Sequence, residues 1–117
     1  LVVRFGGATI ANTTRGVGTI DGSNCVAYYF PPEDVNRNLL RRMHYRAKPN
    51  SIGTATYWIL SVRGLIAEAA AWSYESPTIG YLGIRGHYSF EISRVDQSFV
   101  GSNLIKANTD GDCAESL

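Results

Sequence analysis

The segment from Pro31 to Lys48, PPEDVNRNLLRRMHYRAK, constrains the chain most. Two prolines at its start suit a first helical turn, where proline's fixed φ already fits and its missing N–H has no partner to lose. Glu33 and Asp34 fall at the positive end of a helix dipole; Arg41, Arg42, Arg46 and Lys48 fall at the negative end. Each placement contributes about 0.3–1 kcal/mol when exposed. Val35, Leu39, Leu40, Met43 and Ala47 recur at helical spacing and make one apolar stripe. Pro49 ends the run, because the residue before a proline is pushed out of the helical region. The segment predicts one long amphipathic helix, and its stripe needs a surface to cover.

The rest of the chain reads as strands that supply that surface. Cys25–Phe30 (CVAYYF) is β-branched and aromatic and feeds the helix. Thr54–Val62 (TATYWILSV) has the strongest strand pattern, and Arg63-Gly64 turns it tightly into the next segment. Leu65–Trp72 has alanines that favour a helix, but its short run between two turn signals fits a strand better. Ile79–Ile84, His87–Val95 and Phe99–Ala107 follow as further strands, with Tyr88, Phe90 and Ile92 alternating against His87, Ser89, Glu91 and Ser93. Short strands joined by tight turns pair antiparallel, since parallel pairing needs a long crossover. The expected domain, residues 25–117, is therefore α+β: one α-helix packed on a four- or five-stranded antiparallel β-sheet. Residues 1–24 carry five glycines, with short strand candidates at Leu1–Phe5 and Val17–Ile20. They read as an N-terminal arm or hairpin outside the rigid core.

At 117 residues the chain is one ordinary domain in size, and a net charge of +1 gives no global pull toward nucleic acid or membrane. No window approaches the length of apolar run that spans a bilayer as a helix. The start at Leu1 fits a removed signal peptide or a fragment boundary equally. Cys25 and Cys113 stand far apart with no CxxC and no nearby histidine pair, so no metal site is expected. Two readings of them remain, a nucleophile with a bystander or a disulfide. A disulfide closing so long a loop would stabilise by roughly 4 kcal/mol. It would also imply an oxidising compartment, hence secretion. The sequon Asn12-Thr13-Thr14 agrees with that compartment.

Catalytic signals are sparse. His87 and Glu91 are four apart, which on a strand is about 13 Å, too far for an acid–base pair. His44 sits beside the apolar stripe. No nucleophile elbow, zinc-protease helix, phosphate loop or dinucleotide fingerprint is present, and no cofactor is expected. The basic residues Arg37, Arg41, Arg42, Arg46 and Lys48 suit phosphates or an acidic partner, and a solvated helix face explains them equally well. Trp72 and Tyr74, beside a loop, are candidate anchors of a binding surface.

The layout CVAYYFPPEDVNRNLL, then TYWIL, then GHYSFEISRVDQSFVGSNLIKANTDGDC resembles the ribonuclease-like secreted effectors of powdery mildew fungi. The resemblance spans Cys25 to Cys113 and leaves residues 1–24 outside. It implies a helix on an antiparallel sheet, like fungal guanyl-specific ribonucleases, with an end-to-end disulfide. Ribonuclease chemistry needs a base, an acid and a cation on the central strands. Thr54–Val62 carries neither His nor Glu, and Phe99–Ala107 carries no His. The resemblance therefore implies a catalytically inactive secreted virulence effector that enters the host cytoplasm and acts by binding. A plant host protein, an intracellular nucleotide-binding leucine-rich-repeat immune receptor or RNA would be its partner. An active secreted ribonuclease is the alternative.

Overall fold

The computed structural model describes residues 1–20, 26–45, 47–100 and 103–105. Ten strands run through them: β1 (Val2–Phe5), β2 (Ala8–Asn12), β3 (Val17–Ile20), β4 (Val26–Tyr29), β5 (Leu40–Arg42), β6 (Thr56–Val62), β7 (Leu65–Ser73), β8 (Tyr88–Phe90), β9 (Gln97–Val100) and β10 (Asn103–Ile105). They form three antiparallel sheets, in the orders β10-β9-β1-β2, β3-β4 and β5-β6-β7-β8. Isolated bridges tie these together. Phe30 pairs with Tyr88, hooking the β3–β4 hairpin to the edge of β8, and Ala11 pairs with Val35.

The β6–β7 hairpin is the longest. Its turn, Arg63 at φ 50° and Gly64 at φ 83°, has the mirror-image geometry that matches strand twist. Gly6 at φ 58° and Gly7 at φ 80° make the same kind of turn between β1 and β2. Arg63 is exposed, so its side chain contributes little to packing while its backbone sits where asparagine is far better tolerated. Arg63→Asn is expected to raise stability by about 0.5–1 kcal/mol, read as a higher urea midpoint at unchanged slope. A lower midpoint would contradict the turn geometry.

Pairing along β6–β7 is interrupted once. Leu60 faces Ala67 and Trp58 faces Ala71, so a single β6 residue stands opposite Glu68, Ala69 and Ala70. Ala69 takes φ 52° to make this bulge, and its N–H points at the Met43 sulfur, 3.3 Å away. The bulge breaks the usual alternation, and both Ala70 and Ala71 fall in one core cluster.

The sheet β5–β8 has a core on each face. On one, Val3, Phe5, Ile10 and Ala11 from β1–β2 pack over Leu60, Val62, Ala70, Ala71 and Phe90. Phe30 meets Phe90 edge to face at 5.5 Å between ring centres. On the other, Tyr29, Ala55, Tyr57, Trp72, Tyr74 and Ile84 cluster beneath Met43, Ala47, Ile52 and Tyr81. Tyr29 and Phe30 are neighbours on the chain and serve opposite cores, as a strand's period of two requires.

This is not the expected α+β fold. Among the described residues there is no α-helix, and the segment expected to be one is extended. Pro32–Asp34 and Arg37–Leu39 form single 3-10 turns, separated by Val35 at φ −114°, ψ 135°. The backbone groups a helix would have used internally go elsewhere. Asn36 donates to Ile10, Leu40–Arg42 pairs with Leu60–Trp58, and Met43 donates to Tyr57. An isolated helix of this length is marginal, and Val35, Asn36 and Asn38 are weak helix formers. Sheet pairing therefore prevails. The stripe is nonetheless buried: Val35 and Leu40 enter the first core, and Met43 and Ala47 pack on the second. Glu33 and Asp34 are not dipole charges. Glu33 meets Arg15 at 2.9 Å, and Asp34 accepts from the Thr13 hydroxyl at 2.6 Å and from Arg15 at 3.2 Å. The Thr13 bond, then Arg15, hold the Asp34 carboxyl below its ordinary range.

Residues 1–24, expected as an arm or hairpin, contribute the β1–β2 hairpin to the first core, with β1 between β9 and β2. Ile79–Ile84, expected as a strand, forms 3-10 turns broken at Tyr81. His87–Val95 is a strand only over Tyr88–Phe90, then a 3-10 turn at Ile92–Arg94. Cys25 and Cys113, expected to form the disulfide, lie outside the described residues.

Candidate functional site

The two aromatic residues singled out as surface anchors are interior. Trp72 is 3% and Tyr74 2% exposed. β7 directs Trp72 into the second core, where its indole N–H donates to the Tyr29 hydroxyl at 3.0 Å and the rings meet edge to face. The Tyr74 hydroxyl accepts from Asn50 Nδ2 at 2.9 Å. Burial pushes Tyr29 up to about 12, against the opposing effect of the Trp72 N–H. These polar tips are spent inside the fold.

The basic run is divided by its strand geometry. Arg41 and Arg42 are consecutive on β5 and so project to opposite sides of the sheet, where a helix would have grouped them. Both are exposed, as are Arg37 and Lys48. Arg42 meets Glu75 at 3.3 Å, an exposed pair of the sort that contributes about 0–1 kcal/mol. Arg46 lies outside the described residues. Asn12 ends β2 and is exposed, whereas Thr13 beside it is buried. His44 is exposed, and His87 Nδ1 lies 3.1 Å from the Arg85 carbonyl. No group of three or more His, Cys, Asp or Glu suited to a metal occurs among the described residues.

A cavity lies where the three sheets meet. Leu1 to Val3 at the start of β1, Val26 to Tyr28 on β4, Ser89 to Ile92 at the end of β8, and Ser98 on β9 surround it, with Phe30 and Trp72 behind. Its volume is about 80 Å³ and its walls are mainly apolar. A cavity of ~150 Å³ lined by aliphatic and aromatic groups takes up benzene, so this one suits a smaller molecule or the head of a longer one. Of the residues expected to bind, Trp72 is the one that lines it.

Ser89, Glu91 and Ser98 are among the residues that line the cavity. Ser98 is 4% exposed, and among the described residues its Oγ has no hydrogen-bond partner. Such an orphan is rare, because a buried hydroxyl without a partner is destabilising by about 1–3 kcal/mol. Glu91 is half-buried; its backbone N–H donates to Ala70 at 2.8 Å, and its Oε1 accepts from Ser93 at 2.8 Å. Sequence reasoning placed Ser89 and Glu91 on one side of a strand and left Ser98 between two strands. No local pattern marks them as a group, since they converge only when β1, β4, β8 and β9 assemble.

A family model described as a domain of unknown function (DUF427) matches residues 1–101. No curated protein matches the chain.

Proposed function

We propose a function from the cavity alone, because the chain belongs to the DUF427 family, which is described only as a domain of unknown function. The protein is a binding protein for a small, largely apolar molecule that carries one hydrogen-bonding group. The observation that carries this reading is Ser98, a residue lining an apolar cavity whose hydroxyl is buried and, among the described residues, unpartnered. Concave apolar sites with a few convergent polar groups are where small ligands bind. What favours holding over cleaving is that, among the described residues, Ser98 Oγ has no hydrogen-bonded base to activate it.

The effector reading drew on the resemblance of the sequence layout, and the helix-on-sheet fold which that resemblance implied is absent among the described residues. Action through binding survives as a proposal, now centred on the cavity instead of the arginines.

Ser98→Ala separates a ligand group from a structural one. Removing an unpaired buried hydroxyl is expected to stabilise the free protein by about 1 kcal/mol, read by urea denaturation. The same variant is expected to weaken uptake of a small alcohol such as butanol, followed by amide chemical shifts. A variant that is less stable than the parent and takes up butanol equally well would refute the assignment.

A further inference from the structure

We propose that the cavity selects a cation, a primary ammonium on a short aliphatic body, with Glu91 as its counter-charge; this rests on the reading of the cavity as a ligand site. Glu91 lines the cavity, and among the described residues no Lys, Arg or His nitrogen lies within 4 Å of its carboxylate. Among the described residues its Oε1 accepts from the Ser93 hydroxyl. The Ser93–Glu91 hydrogen bond is exposed, so the carboxylate is open to solvent and within reach of a cation. The nitrogen of Leu1, another lining residue, donates to the Thr13 carbonyl at 2.8 Å.

The donor count agrees. An ammonium brings three N–H donors and no acceptor. The lining residues include Glu91, which carries a carboxylate, and Ser98, whose hydroxyl is unpartnered among the described residues and can accept. A carboxylate ligand would meet Glu91 as a like charge, and a neutral alcohol would satisfy Ser98 without pairing Glu91. Glu91 is also held in place. Its N–H bonds to Ala70, and it caps the Ile92–Arg94 turn at φ −76°, ψ 110°. The volume of about 80 Å³ fits a three- or four-carbon body.

The test uses three probes of one shape, butylammonium, butanol and butyrate, titrated into the full chain and followed by amide chemical shifts. Butylammonium is expected to bind about tenfold tighter than butanol, and butyrate more weakly than either. Glu91→Gln is expected to erase the advantage of butylammonium over butanol. If butanol binds and butylammonium binds no better, the charge selection is overturned while the cavity stands. If none of the three shifts the amides around Ser89 and Ser98, the cavity reading itself fails. Nα-acetyl-lysine amide carries the same butylammonium on a peptide unit and separates the sources. Binding as tight as the free amine assigns a protein side chain, and exclusion assigns a free small amine. Salt adds a further check, since raising it is expected to weaken butylammonium binding and spare butanol.

Discussion

Replacing Ile10 with alanine is expected to lower stability by about 3 kcal/mol, within the range for truncating a buried isoleucine. Ile10 is 1% exposed and sits with Val3, Phe5 and Ala11 against the β6–β7 strands. Its backbone carbonyl also receives the Asn36 N–H at 2.7 Å, so it anchors the extended segment that replaces the expected helix. Alanine keeps the backbone bond and leaves a void the size of the missing methylenes. The measurement is a urea midpoint, with an unchanged slope showing that the native and unfolded states keep their compactness. A loss under about 1 kcal/mol would place the β1–β2 hairpin at the periphery, against the geometry described above.

Tyr29→Phe is expected to be the next most damaging change, at about 1–3 kcal/mol. The loss is not the hydroxyl's own volume. It is the Trp72 indole N–H, left buried without an acceptor, since Tyr29 is 1% exposed and the bond lies within the second core. A double-mutant cycle with Trp72→Phe is expected to show non-additivity of about 1 kcal/mol or more; additive losses would mean that packing alone holds the pair. The same side chain sets an alkaline limit. Burial raises Tyr29 to about 12, whereas an unfolded tyrosine titrates near 10. Between those values the unfolded chain gives up a proton that the native protein keeps. Stability is therefore intact below about pH 10 and falls as pH rises toward 12, by roughly 2–3 kcal/mol from this residue. Burial also raises Tyr57 and Tyr88, in the same direction. Denaturant midpoints from pH 8 upward are expected to fall less steeply in Tyr29→Phe. An unchanged pH profile would remove Tyr29 from the account.

Strand content was legible wherever local chemistry decides it. Thr56–Val62 shows a β-branched and aromatic run, and the alanine-rich Leu65–Ser73 follows it across Arg63-Gly64, a turn that imposes antiparallel pairing. The same signal, Gly6-Gly7 between VVRF and ATIA, stands in the first twelve residues, yet the number of glycines there argued for a loose arm. In fact two of them build the turn that delivers β1 and β2 to the core. The helix reading failed for a different reason. Val35, Leu39, Leu40, Met43 and Ala47 are spaced for a helix and are all drawn inward, but their burial is achieved by an extended path between β2 and β6. Periodicity reports which residues face inside; it does not report which distant strands offer hydrogen bonds. The cavity was least legible. Glu91 and Ser98 meet Val2 and Ala27 only through pairings that span most of the chain.

The insertion of β1 between β2 and β9 has a consequence for synthesis. Val3 pairs with Ala11 almost at once, but its other neighbour, Ser98, emerges roughly 90 residues later, some 5–20 s at ordinary translation rates. Throughout that interval one flank of the nascent hairpin is an open ladder of amides and carbonyls. Until β9 is made, the sheet around β1 therefore stays incomplete on that side.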